Sequence, residues 1–164
     1  MAKISGIYIA SNAGERMLEK HQARMLANAG LEGDRYAAGL GAYSQTLPRK
    51  VRDISIITRD AIDAANQELK TLGVEPFRDC ETRRNIVVED LSYQDLNGLV
   101  GKEFYLGRCK LFATELCVPC ERPAKISGKK DFLRVFEARG GIRARILVAG
   151  EIQLGDLLSD SLSI

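Results

Sequence analysis

The sequence has no tryptophan, one histidine, four cysteines and four prolines in 164 residues. Each scarcity rules something out. A lone imidazole, His21, cannot supply the paired histidines of many acid–base sites, so any proton delivered in a reaction has to come from Asp34, a tyrosine, a cofactor or water. No stretch approaches the ~20 apolar residues that cross a bilayer, so no membrane association is expected. The opening "MAKISGIYIASNAGER" has only a short apolar run and does not read as a signal peptide, which predicts a cytoplasmic protein. In that reducing compartment four cysteines do not make a disulfide framework. Charge of one sign is lacking too: 24 Lys and Arg face 22 Asp and Glu, a net +2. Bulk electrostatics therefore give no reason to expect nucleic acid as a partner.

What is present is an ordinary globular composition, 45% hydrophobic and 28% charged. The length suits a single domain, residues 1–164, and no repeat, low-complexity tract or linker interrupts it. "ISGIYIAS" alternates as an opening strand. The stretch from Ala29 to Ser44, "AGLEGDRYAAGLGAYS", is too rich in glycine for a helix and reads as a long loop of the kind that often carries function. "RDISIIT" is a short buried strand. Thr58 then caps a helix on which Ile62, Ala65, Leu69 and Leu72 recur at near-helical spacing, ended by Gly73 and Pro76. "RRNIVVED" starts basic and becomes a β-branched strand. "LVGKEFYLGRCKLFATELCV" reads as two strands turning at Gly107, and "KKDFLRVFEARGG" as a short helix closed by Gly140 and Gly141. "GIRARILVAGEIQLGDLL" reads as a hairpin turning at Gly150 and Glu151. About six to eight strands and two helices, without βαβ alternation, predict a mainly β chain with helices (α+β), barrel-like in architecture.

The chemistry concentrates in "ELCVPCERP", Glu115 to Pro123. A redox dithiol is one reading of Cys117 and Cys120. In thioredoxin-like folds, however, that motif opens a long helix early in a βαβ unit, and here Pro123 and Gly128 leave room for a turn or two. Structural zinc would need a second close ligand pair, which Cys80, Cys109 and His21 do not form. The third reading makes one cysteine a nucleophile or soft-metal ligand, stabilised as thiolate by cations such as Arg122 and Lys125.

Three basic, turn-rich segments supply the other half of such a site. "GLEGDRY" offers glycine amides and Arg35. "ETRRNIVV" puts Arg83, Arg84 and Asn85 at the mouth of a strand. "RGGIRARI" places Arg139 beside two glycines, with Arg143 and Arg145 on one strand face. Guanidinium forks and glycine amides together suit phosphate, so an anionic ligand held near sulfur is expected.

In order and spacing, "EGDRY", "RRNIVV", "LVGKEFYLG", "CVPC" and "RGGIRARILVAGEIQLGD" resemble the MOSC domain family, named for the C-terminal part of molybdenum cofactor sulfurase. The chain looks like a stand-alone member. The resemblance implies a mixed β-barrel and binding of the molybdenum cofactor, a phosphate-bearing pterin dithiolene. By that resemblance Cys120 ligates the metal or carries a persulfide, with Cys117 auxiliary in catalysis. Arg83, Asn85, Arg139 and Arg143 would hold the cofactor, and Asp34 and Arg35 would shape the loop over it. Many relatives carry histidine where this chain has Tyr36, so imidazole chemistry is not expected there. The implied activity is reduction of N-hydroxylated small molecules. Electrons would come from an external donor protein, because the chain has no flavin, haem or iron–sulfur motif. The alternatives are a sulfur carrier loaded by a cysteine desulfurase and a non-catalytic binding module.

Overall fold

A computed structural model describes residues 1–162. In chain order the elements are β1 (Lys3–Ile9), β2 (Leu18–Lys20), β3 (Gln22–Leu26), β4 (Gly30–Leu31), β5 (Ile54–Thr58), α1 (Arg59–Thr71), β6 (Ile86–Glu89), α2 (Tyr93–Asn97), β7 (Glu103–Leu106), β8 (Cys109–Leu116), α3 (Glu121–Ser127), α4 (Phe132–Val135), β9 (Ile142–Val148), β10 (Gly150–Gln153) and β11 (Leu158–Ser159). A 3₁₀ turn, Asp79–Thr82, precedes β6. The chain is mixed α+β, mainly β, as its alternation predicts. Of the extra strands, β2, β4 and β11 are two- and three-residue pairings too short to leave a periodic trace, and β3, at five residues, buries Met25 but not a whole face.

Eight strands form one sheet in the order β11-β7-β8-β9-β5-β6-β1-β2, and β10-β3-β4 form a second. Most neighbours are antiparallel. The β5–β6 pair is parallel, and α1 makes the crossover that a parallel pair requires. The expected barrel does not close among the described residues. A lone bridge from Lys3 to Leu157 links β1 to the segment before β11, so the sheet curls without a continuous ladder. The expected hairpin at Gly150 is also corrected. β9 pairs with β8 and β5, whereas β10 crosses to β3, pairing Gly150 with Met25 and Gln153 with Gln22. Alternation marks two strands with one buried face each and does not say that they pair with each other.

Two apolar clusters hold the elements. The first, including Ile4, Ile7, Met25, Ile56, Phe104, Leu111 and Ile146, lies on the inward sheet faces. On β8, Cys109, Leu111 and Ala113 point in, which is the parity the sequence shows. The second cluster fills the space between sheet and helices, where Ala61, Ile62, Ala65 and Leu69 of α1 meet Phe77, Phe132 and Phe136. Phe77 packs edge-on to both other rings at 5.5 Å. Truncating one such fully buried phenylalanine to alanine costs about 3–5 kcal/mol. Thr58 caps α1 by accepting from the Ala61 amide, as expected. No helix among the described residues is long and apolar enough to cross a membrane.

Candidate functional site

Where β8 ends and β6 and β9 begin, the chain leaves a cleft with an empty volume of about 620 Å³, its open mouth included. Strand register decides who stands there. Arg143 of β9 lies opposite both Ser55 of β5 and Glu115 of β8. Asn85, just before β6, takes a hydrogen bond from the Ser55 amide at 3.2 Å and donates to the Tyr8 carbonyl at 3.1 Å. These bonds pin the turn that carries Arg83 and Arg84 against the floor.

Arg83 sits in left-handed backbone conformation, φ 63°, which residues other than glycine rarely adopt. Its guanidinium donates to the Glu15 carbonyl. Burial, with Arg35 and Arg122 nearby, pushes its pKa down to about 10. Arg84 is fastened to backbone, donating to the carbonyls of Gly140 at 2.7 Å and Thr82 at 3.1 Å. Arg35 is held by Asp34 at 3.0 Å. Asp34 is itself fully buried and also accepts from the amides of Ala10 and Tyr36. These bonds tie the loop to the end of β1.

Gly140 and Gly141 have a packing task. A Cβ on Gly140 would lie 2.2 Å from the Cys117 carbonyl, and one on Gly141, at φ +89°, 2.0 Å from the Ile56 carbonyl. The Cys117 amide donates to the Gly141 carbonyl at 2.8 Å. The glycine pair therefore lets the Cys117 segment dock directly on backbone.

That docking separates the two cysteines. Cys117 is buried, 4% exposed, whereas Cys120 is exposed at the start of α3. Both line the cleft. The Tyr43 hydroxyl stands 3.9 Å from the Cys120 sulfur. Burial first, and then this hydrogen bond, raises the Tyr43 pKa, so the phenol keeps its proton at neutral pH. Arg52 lies over the Tyr43 ring, 4.7 Å from its centroid.

Six arginines line the cleft, at 35, 52, 83, 84, 122 and 143, and among the described residues no carboxylate does. The chain's remaining 18 cations face 22 carboxylates, so its near-neutral total conceals a concentrated positive site. Two of the six have acidic partners, Arg35 with Asp34 and Arg143 with Glu115 at 3.4 Å. Arg52, Arg83, Arg84 and Arg122 have no ion pair among the described residues. A desolvated, uncompensated guanidinium cluster is stabilised by an anion.

Of the residues singled out in the sequence, Cys117, Cys120, Arg35, Arg83, Asn85 and Arg143 line this one cleft, and Asp34 lies beneath it. Arg139 does not: it is outside the lining and ion-pairs with Glu68 of α1. His21 is exposed between β2 and β3. Tyr43, Arg52 and Ser55 are the lining residues that sequence reasoning missed. Tyr43 lies inside the glycine-rich loop, which was the available signal, but nothing local distinguishes it from Tyr36.

Among the described residues no group of three or more His, Cys, Asp and Glu converges to hold a metal by itself. A metal brought by its own ligand would need only the Cys120 thiolate from the chain.

Solved structures share this architecture. The YuaD protein from Bacillus subtilis superposes with a TM-score of 0.76 at 20% identity, covering 94% of this chain and 92% of that one. YiiM from Geobacillus stearothermophilus gives 0.67 at 14% identity, over 97% and 74%. YiiM from Escherichia coli gives 0.65 at 13%, over 99% and 71%. No curated protein matches the sequence. The sequence profile of the MOSC domain matches residues 33–159, which hold every lining residue of the cleft. On that match the chain belongs to the MOSC domain family, a family linked to molybdenum cofactor binding.

Proposed function

We propose that the chain binds the molybdenum cofactor in this cleft and reduces N-hydroxylated small molecules, with electrons from an external donor protein. The observation that carries this reading is one exposed thiol, Cys120, standing among six arginines with no carboxylate in the lining. A phosphate-bearing dithiolene needs cationic anchors and one soft ligand, and these residue types fit it. When bound, the cofactor supplies the redox chemistry that takes oxygen from nitrogen.

The chain's own contribution is placement. Cys120 would hold the metal through its thiolate. Arg83 and Arg35, buried and preset by the Glu15 carbonyl and Asp34, would hold the phosphate. Asn85 acts indirectly, fixing the turn behind them through Ser55 and Tyr8. Tyr43 Oη retains its proton beside the sulfur and is the nearest protein group able to donate one. Arg139, committed to Glu68, takes no part.

The test is metal content followed by turnover. Protein from a cofactor-competent host should contain about one molybdenum per chain. With reduced viologen it should reduce benzamidoxime or a hydroxylaminopurine, and NADH alone should support nothing. Loaded wild type no more active than Cys120→Ser on every such compound sinks the reductase reading. The exposure of Cys120 also suits a persulfide received from a cysteine desulfurase. Metal-free protein with a sulfane sulfur on Cys120 would establish that second reading.

A further inference from the structure

The six cleft arginines fall into two tiers. Arg35, Arg83 and Arg84 are buried, with exposures of 7%, 8% and 9%. Arg52, Arg122 and Arg143 are half-buried, Arg52 lying over the Tyr43 ring and Arg122 two residues beyond Cys120. The lower tier is anchored to Asp34 and to backbone carbonyls. In the upper tier Arg143 has Glu115, but Arg52 and Arg122 have no acidic partner among the described residues. Arg52 is held by the Tyr43 ring, and the Arg122 guanidinium approaches Gly14 across the mouth. Each also lines a more open hollow beside Tyr43, Arg122 with Lys125 and Glu121, and Arg52 with Arg49, Lys50 and Asp53, so cations outnumber carboxylates in both. One cofactor phosphate gripped by the lower tier leaves the upper charges unspent, beside the sulfur where a substrate must arrive.

We propose that Arg52 and Arg122 select substrates that carry an oxyanion, a carboxylate or a phosphate, alongside the N-hydroxyl group. The inference rests on the reductase reading for its substrate, while the charge selectivity of the mouth can be measured without any cofactor. A carboxylate between two partly desolvated guanidinium groups gains charge-assisted hydrogen bonds that a neutral analogue lacks. The positive mouth also concentrates anions locally.

The cofactor-free measurement alkylates Cys120 with iodoacetate and with iodoacetamide. In both reactions the thiolate sulfur forms a bond to carbon and iodide leaves. Both reagents consume the same thiolate, so its protonation cancels from the ratio of rates. Mass spectrometry of the Cys120 peptide gives that ratio, and half-buried Cys80 in the same chain is the internal control. The acetate-to-acetamide ratio should be about threefold to tenfold higher at Cys120 than at Cys80, and should fall as salt rises. Changing Arg52→Ala and Arg122→Ala together should bring it to the Cys80 value. A ratio equal at the two cysteines, or unmoved by the double substitution, overturns the proposal.

In loaded protein, 4-carboxybenzamidoxime should show a higher kcat/KM than benzamidoxime, with the advantage lost in the double variant. A parallel comparison of hydroxylaminopurine with its ribonucleoside monophosphate separates phosphate from carboxylate preference. Equal turnover of charged and neutral members of both pairs overturns the proposal. No turnover of any compound overturns the reductase reading instead, and the alkylation ratio then decides the selectivity of the mouth alone.

Discussion

The floor and the rim of the cleft are built on opposite plans. On the floor polar side chains are committed: Asp34 to Arg35 and two amides, Asn85 to Ser55 and Tyr8, Arg84 to two carbonyls. On the rim Tyr43 meets Cys120 through its hydroxyl and Arg52 through its ring, and neither Cys120 nor Arg52 has an ion pair among the described residues. A buried polar group without partners costs folding free energy, whereas an exposed one costs almost nothing. The floor therefore has to serve folding as well as binding. The rim is released from folding and is available to a ligand.

Substitutions can break this contrast. The largest effect is expected on the rim, in binding alone. Cys120→Ser should lose essentially all molybdenum, while its unfolding free energy in denaturant stays within about 0.5 kcal/mol of wild type. Cys117→Ser should keep most of its metal and instead lose about 1 kcal/mol of stability by burying a hydroxyl. Equal metal loss in both variants would return the pair to a dithiol or zinc reading.

Next in size is Asp34→Ala on the floor. It strips the partner from buried Arg35 and orphans two amides, for a loss of about 3–5 kcal/mol and a thermal midpoint lower by on the order of 10 °C. A midpoint within about two or three degrees of wild type, roughly the span of 1 kcal/mol, would show that the floor is not structural.

Arg83→Gly sharpens the contrast within one residue. Glycine accepts φ 63° freely, so relief of backbone strain of roughly 1 kcal/mol offsets the lost bond to Glu15. Cofactor retention on dialysis should fall about tenfold to a hundredfold while the midpoint of the unloaded protein barely moves. Strong destabilisation of the unloaded variant would make Arg83 a structural residue.

The smallest effect concerns Cys109, fully buried, whose thiol burial pushes up. It should resist alkylation at pH values where Cys120 reacts readily. In the unfolded chain the same thiol ionises first as pH rises, at about 8.5. Native stability should therefore decline slightly above that pH, and Cys109→Ala should remove that part of the slope. Rapid native-state labelling of Cys109 would contradict its placement in the core.

Much of this was legible in the chain. The cap at Thr58, the spacing of Ile62, Ala65 and Leu69 on α1, the turn at Gly107 and the shared parity of Cys109, Leu111 and Ala113 are local features, set by spacing within one element; Leu72, expected on the same helix face, is instead the exposed residue that ends α1. The cleft was largely legible because its motifs carry charge or sulfur. What failed depends on distant partners. Glu68, on α1, claims Arg139, and no pattern near Arg139 announces it. β10 leaves β9 for β3, across more than a hundred residues of chain. Tyr43 acquires meaning only when folding brings Cys120 to it, 77 positions away.

The cleft draws its lining from both flanks of the glycine-rich loop, from β5, from the turn before β6, from the β8–α3 connection and from β9. No short contiguous segment contains it, since the lining runs from Arg35 to Arg143. Any ligand that settles there is therefore bound by the finished topology, and its binding free energy acts as a clamp on every one of those segments at once. At a hundred times its dissociation constant, such a ligand would deepen the native basin by about 2.7 kcal/mol. Proteolytic lifetime should then report occupancy, because a protease can cut the central strands only after the ligand has left.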